Sequence, residues 1–175
     1  MGPRVVLMGP PGAGKSSVGA ALARLLGETL RDSDADIEAV AGTSVAGIFV
    51  DQGEPAFRAL EVTAVAMALE QDSGVLSLGG GAPLAEATQD ALKAYKANGG
   101  VVVFLDVSLT AVVPRVGLNA TRPLLLGNPR QQWLGLMAAR RPLYEELATM
   151  TVLTDDRTPS DIALEIAATL SEVTS

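Results

Sequence analysis

The octapeptide Gly9-Pro10-Pro11-Gly12-Ala13-Gly14-Lys15-Ser16 constrains the chain more than any other stretch, because it satisfies the phosphate-cradling pattern G-x-x-x-x-G-K-[ST] in full. Its flanks are also the ones that pattern needs. Ahead of it, Val5, Val6, Leu7 and Met8 form a short apolar run that reads as a strand buried on both faces. Behind it, Val18, Leu22, Leu25 and Leu26 recur at helical spacing, and Gly27 stops the helix. A strand, a glycine loop and a helix in this order turn successive backbone N–H groups inward and add the positive end of the helix. Lys15 would reach the β- and γ-phosphates of a nucleoside triphosphate and the Ser16 hydroxyl would bind Mg²⁺, with Gly12, Ala13, Gly14 and Ser17 cradling the phosphates.

The rest of the chain repeats this alternation. A strand ends near Asp32, helical patterns cover 37–41, 45–52 and 54–71, and a strand covers 75–78. A helix at 86–96, a strand at 101–106 and a short helix at 110–116 follow. Residues 117–131, rich in Gly, Pro, Asn and Arg, interrupt the pattern before a helix at 132–148, a strand at 151–154 and a last helix opened by Pro159 or Ser160. Strands alternating with helices imply an α/β fold with a parallel sheet covered on both faces. The 175 residues contain no repeat or linker, so one domain is expected, with 117–131 as a mobile flap within it.

Composition narrows the chemistry. There is no Cys and no His, which excludes Cys/His zinc sites, disulfide scaffolds and Ser-His or Cys-His nucleophile pairs. Carboxylates, Lys, Tyr or a metal-bound group are left for acid-base work. A net charge of −7 disfavours nucleic acid as a partner. Residues 108–160 nevertheless carry six Arg, no Lys and four acids, a local excess that suits a small anionic ligand. Arg4 precedes an apolar run too short for a signal or a membrane span, so a soluble cytoplasmic protein without membrane contact is expected.

Three further constellations could serve a phosphate site. Asp32 and Asp34 fall at the end of the second strand, where residues two apart in an extended chain face one way, roughly 7 Å apart. One could enter a Mg²⁺ shell and the other meet an acceptor, or Asp32 could simply cap the helix that follows. Gly79, Gly80 and Gly81 follow the third strand, where they either admit a ligand to the backbone or serve only a turn. Arg58, Arg115, Arg122, Arg140, Arg141 and Arg157 offer planar forks for phosphate or carboxylate, or lie on the surface. Among them Arg122, in Thr121-Arg122-Pro123-Leu124-Leu125, has the basic tip and apolar shoulders of a closing lid.

In order and spacing, GPPGAGKS, DSD at 32–34, IFVDQGEPAFRALE, LSLGGGAP, TRPLL and LMAARRPLYEELA resemble the shikimate kinase family over nearly the whole chain. Leu118, in Gly117-Leu118-Asn119-Ala120, departs from the small or polar residues such proteins often place there. The resemblance implies a three-layer α/β/α domain of P-loop kinase type, built on a five-stranded parallel sheet with a lid insert. It implies a core of 1–31, 75–116 and 150–175, a substrate-binding helical region near 32–74 and a lid near 117–131. The implied reaction transfers the γ-phosphoryl group of ATP, with Mg²⁺, to the 3-hydroxyl of shikimate, in a cytoplasmic monomer that serves aromatic amino acid biosynthesis. Lys15 and Ser16 would serve phosphates and metal, and Asp32 would support the metal shell. Asp34 would take the shikimate hydroxyls and orient or deprotonate the attacking one. Arg58 and Arg140 would grip the carboxylate, Arg140 being preferred to Arg141 from its spacing to Pro142. Gly79, Gly80 and Gly81 would line the site with Phe49 and Phe57 nearby, Arg122 would act from the lid, and Arg115 and Arg157 would flank the adenine. A gluconate kinase on the same fold is the alternative, against which the paired Asp and the glycine triplet weigh. A GTPase-type switch lacks its Asn-Lys-x-Asp segment here.

Overall fold

A computed structural model describes residues 2–71, 74–116 and 128–175. Its centre is β1 (Val5–Met8), all four residues of which are fully buried. β1 pairs in parallel on one side with β3 (Val75–Ser77) and on the other with β4 (Val102–Asp106). β2 (Leu30–Asp32) lies outside β3, and β5 (Met150–Leu153) lies outside β4, which gives the order β2-β3-β1-β4-β5 with every pair parallel. Because the strands are parallel, the loops that leave β1, β2, β3, β4 and β5 all emerge at one end of the sheet.

Helices form the outer layers. α1 (Lys15–Leu26) packs against α8 (Pro159–Thr174), while α4 (Glu54–Glu70) packs against α5 (Glu86–Ala97), and α5 against α7 (Pro129–Leu147). α6 (Leu109–Val116) leads toward residues 117–127, which lie outside the described residues. α1 starts at Gly14, whose φ of 92° is left-handed and strained for any side chain. A second, small apolar cluster of Ile37, Ile48 and Phe57 joins α2 (Ser33–Ala41), α3 (Val45–Gln52) and α4.

Two element starts differ by more than one residue from those the sequence implies. α2 begins at Ser33, not near Ile37, because the Asp32 carboxylate accepts a hydrogen bond from the Asp34 N–H at 2.8 Å and caps the helix. Asp34 is therefore helical, and the two carboxylates are not carried by one extended strand. α7 begins at Pro129, three residues early, because Asn128 accepts bonds from the Arg130 and Gln131 N–H groups and Pro129 suits a first helical turn. The sequence reading also lacked the 3₁₀ turn Ala82–Leu84.

Thr158 caps α8 by accepting from the Asp161 N–H at 3.1 Å. Thr158→Ala should lower the unfolding free energy by about 1 kcal/mol with an unchanged denaturant slope. The lone Trp133, 8% exposed within the main core, provides the fluorescence signal. An unchanged midpoint would show that the cap contributes nothing.

Candidate active site

The phosphate loop is held closed by its own lysine. Lys15 Nζ donates to the Gly9 and Pro10 carbonyls at 2.7 and 3.0 Å, so the side chain folds back across the loop it follows. Burial lowers its pKa from 10.5 to about 8, with Arg140 acting in the same direction and the nearby Asp34 and Asp32 carboxylates opposing it. Those influences also locate Lys15, which faces the end of β2 on one side and α7 on the other. Ser16 and Ser17 lie exposed in the first turn of α1.

Beside the loop is a cavity of about 410 Å³, lined by Gly12, Ala13, Gly14, Ser17, Arg115 and Arg157 among others. Six residues assigned to nucleotide from sequence thus share one space. Arg115 Nη1 donates to the Gly12 carbonyl at 3.2 Å and to Thr154 Oγ1 at 3.0 Å, which ties the loop to the end of β5. Arg157 pairs with Glu165 of α8 at 2.6 Å. A larger cavity, about 600 Å³, lies around Pro3, Tyr95 and Leu170 and contains none of the residues assigned to phosphate or acceptor.

On the other flank, α2 and α4 press their side chains onto the loop after β3. A Cβ added to Gly79 would fall 2.7 Å from Asp34 Oδ1 and 3.0 Å from Glu61 Oε2, and one added to Gly81 would fall 2.5 Å from an Arg58 guanidinium nitrogen. Neither glycine has a positive φ. What they provide is space for close approach, here filled by side chains of the acceptor region. The Gly79 N–H does not face a ligand: it donates to Ser33 Oγ at 3.0 Å. The Gly80 carbonyl accepts from the Tyr144 hydroxyl at 2.6 Å.

Asp34 Oδ1 is buried and takes no hydrogen bond. Burial pushes the Asp34 carboxyl above its ordinary value, and repulsion from Asp32 and Glu61 adds to this while Lys15 opposes it. An unsatisfied carboxylate oxygen is costly, and such groups concentrate where a ligand supplies the missing partner. Arg58 donates to Glu61 Oε1 at 2.8 Å, approaches Glu54 at 3.5 Å and lies 5.3 Å from the centre of the Phe57 ring. Phe57 is buried in the small apolar cluster, whereas Phe49, 4.8 Å from it, is 38% exposed and can still face a ligand.

The two adjacent arginines of α7 separate clearly. Arg141 is bonded to Asp106 at the end of β4 and lies over Phe104. Arg140 makes no ion pair with a described carboxylate, while its charge acts on both Lys15 and Tyr144. Arg140 is thus the guanidinium available to an acid. Arg122 lies outside the described residues. Glu61, Tyr144 and Ser33 lie within the quoted stretches but have no role assigned from sequence. Glu61 was findable, since it stands three residues after Arg58 on a predicted helix, the spacing of an ion pair.

The donors fit a magnesium ion held jointly with phosphates. Among the described residues no group of three or more His, Cys, Asp or Glu could hold a metal. One hydroxyl and one carboxylate suffice when substrate phosphates complete the shell, and Ser16 with the second oxygen of Asp32 are hard donors of that type.

The shikimate kinase family model matches residues 11–171. A shikimate kinase of Salinispora arenicola is 54% identical over 171 residues, 98% of this chain and 99% of that one. The solved shikimate kinase of Acinetobacter baumannii in complex with shikimate has a TM-score of 0.88 at 35% identity, covering 98% of this chain and 94% of that one. A gluconokinase of Sinorhizobium meliloti, with a TM-score of 0.63 at 22% identity, covering 98% of this chain and 93% of that one, shares the fold alone. Matched by its family model from the phosphate loop to the last helix, and by such relatives over nearly its full length, the chain belongs to the shikimate kinase family.

Proposed function

We propose that this shikimate kinase passes the γ-phosphoryl group of ATP to the 3-hydroxyl of shikimate across the gap between Lys15 and Asp34. The observation that carries this reading is the buried, unpartnered Asp34 Oδ1, which lies beside Lys15 at the end of the sheet that also carries the phosphate loop. A hydroxyl placed there would donate to that oxygen, and the raised pKa suits a group that accepts the proton late in the transfer. Arg58 and Arg140 provide bidentate forks for the shikimate carboxylate, Glu61 fixes the direction of Arg58, and Phe49 offers a flat apolar wall.

Phosphoryl transfer needs positioning and charge stabilisation more than a strong base. Lys15 supplies charge at the phosphates once it exchanges its two carbonyl partners for phosphate oxygens. Ser16 and Asp32 would hold Mg²⁺, which when bound offsets charge on the β- and γ-phosphates. Arg115 and Arg157 flank the nucleotide cavity, and Arg122 is assigned to the phosphates from its place in the 117–131 insert. The protein is proposed to be a cytoplasmic monomer, and its net charge of −7 weighs against nucleic acid as a partner. An assay with shikimate and gluconate as acceptors tests the substrate directly, and equal turnover of gluconate would overturn it.

Two tests address individual residues. Asp34→Asn keeps size but removes the proton acceptor, so kcat should fall about 100-fold, whereas Arg58→Lys keeps charge but loses the fork, so the shikimate KM should rise while ATP affinity holds. A normal kcat in Asp34→Asn with only KM raised would make Asp34 a binding residue. Lys15 gives a pH signature. With its pKa lowered to about 8, it is largely neutral in the free enzyme near pH 9 and protonated near pH 7. The triphosphate restores the charged form, so ATP binding should take up close to one proton near pH 9 and close to none near pH 7. Calorimetry in buffers of different ionisation enthalpy measures this, and absence of uptake near pH 9 would place Lys15 away from the phosphates.

A further inference from the structure

Tyr144 is 1% exposed, yet its hydroxyl reaches the functional end of the sheet. Its ring stacks on Phe104 of β4, with centroids 5.0 Å apart, so the phenol is aimed by the core itself. Its O–H donates to the Gly80 carbonyl at 2.6 Å, a contact 64 residues apart in sequence that ties α7 to the glycine triplet. Four residues earlier on α7, and so on the same face, is Arg140, whose charge and side-chain hydrogen bond to the Tyr144 hydroxyl both favour the phenolate; burial prevails and keeps the phenol above its ordinary value. The hydroxyl therefore stays a donor over the working pH range.

The peptide between Gly80 and Gly81 is trans, so its C=O and N–H point in opposite directions. Holding the carbonyl toward α7 turns the Gly81 N–H away from α7. Gly81 lies against Arg58, whose guanidinium would meet a Cβ there at 2.5 Å, and Gly80 lies against Pro11 of the phosphate loop, 3.1 Å from its own Cβ position. One hydroxyl thus fixes a peptide wedged between the phosphate loop and the arginine assigned to the acceptor.

We propose that Tyr144 is a positioning residue for the acceptor site: by holding the Gly80 carbonyl it sets the direction of the backbone N–H that Gly81 presents to shikimate. The proposal rests on the reading that the glycine triplet and Arg58 line that site. Without the hydroxyl, the peptide between Gly80 and Gly81 can rotate, and the cost falls on acceptor binding more than on nucleotide.

The test is Tyr144→Phe, which keeps the ring and its stacking on Phe104 while removing the hydroxyl, both as donor to Gly80 and as partner of Arg140. Tyr95→Phe is the matched control, since Tyr95 also donates its hydroxyl to a backbone carbonyl, that of Pro3 at 2.8 Å, in the cavity that holds no assigned site residue. Shikimate Kd by calorimetry, both KM values and kcat are measured for these two variants and for Arg58→Lys. Tyr144→Phe should weaken shikimate about five- to tenfold and leave the ATP KM within about twofold, while Tyr95→Phe changes neither. Shikimate binding unchanged in Tyr144→Phe but weakened in Arg58→Lys would overturn the positioning role and leave the site reading standing. Binding unchanged in both would overturn the site reading, and equal weakening in Tyr144→Phe and Tyr95→Phe would reduce the effect to general packing.

Discussion

The whole catalytic end of this kinase depends on β1 being paired on both edges. Val6 is in register with Leu76 of β3 and with Val102 of β4, so the strand that delivers the phosphate loop is fixed laterally from two sides and is fully buried. A parallel sheet places all its strand ends in one layer, so the glycine triplet after β3, Asp32 at the end of β2 and Asp106 at the end of β4 lie level with that loop. Side chains then need only short reaches. Arg115 crosses from α6 to Gly12 and Thr154, and Arg141 descends from α7 to Asp106.

With that frame rigid, the site can hold groups in unfavourable protonation balance. Lys15 has lost part of its preference for the charged form through burial, and Asp34 has lost part of its preference for the carboxylate through burial and two acidic neighbours. Each opposes the other's shift, but burial is the larger influence on both. The opposing charges are brought by the substrates. A triphosphate raises Lys15, and an acceptor hydroxyl satisfies Asp34 Oδ1. Binding thus relieves costs that the free fold carries, and the main core that tolerates them is the one packed around β1.

The parts of this arrangement that follow local rules were legible in the sequence. The phosphate loop, its flanking strand and helix, and the alternation that makes the sheet parallel are all short-range patterns. Asp32 shows where such reading fails. It is both the last residue of β2 and the cap of α2, and the cap hydrogen bond, not strand geometry, decides where Asp34 points. Asn128 likewise began α7 earlier than apolar periodicity implied. Arg140 is preferred to Arg141 in the sequence only by its spacing to Pro142, and the fold gives the physical reason by placing Asp106 against Arg141. Tyr144 had no local signal, because its partner is 64 residues away and is a carbonyl.

The division between fold and function follows from which elements carry which groups. A gluconokinase with 22% identity shares the fold, so the fold by itself does not select an acceptor. In the proposed reading selection falls to α2, α4 and α7, which carry Asp34, Arg58, Glu61 and Arg140 around a glycine triplet without side chains. At Gly79 and Gly81 even a methyl group would collide with Asp34, Glu61 or Arg58. In the proposed reading the acceptor is a small molecule carrying a carboxylate and hydroxyls, and the Asp34 oxygen that takes no hydrogen bond from a described residue accepts from one of those hydroxyls. On the proposed reading, specificity is a matter of three helices converging on one loop, on a frame shared with kinases of the same fold.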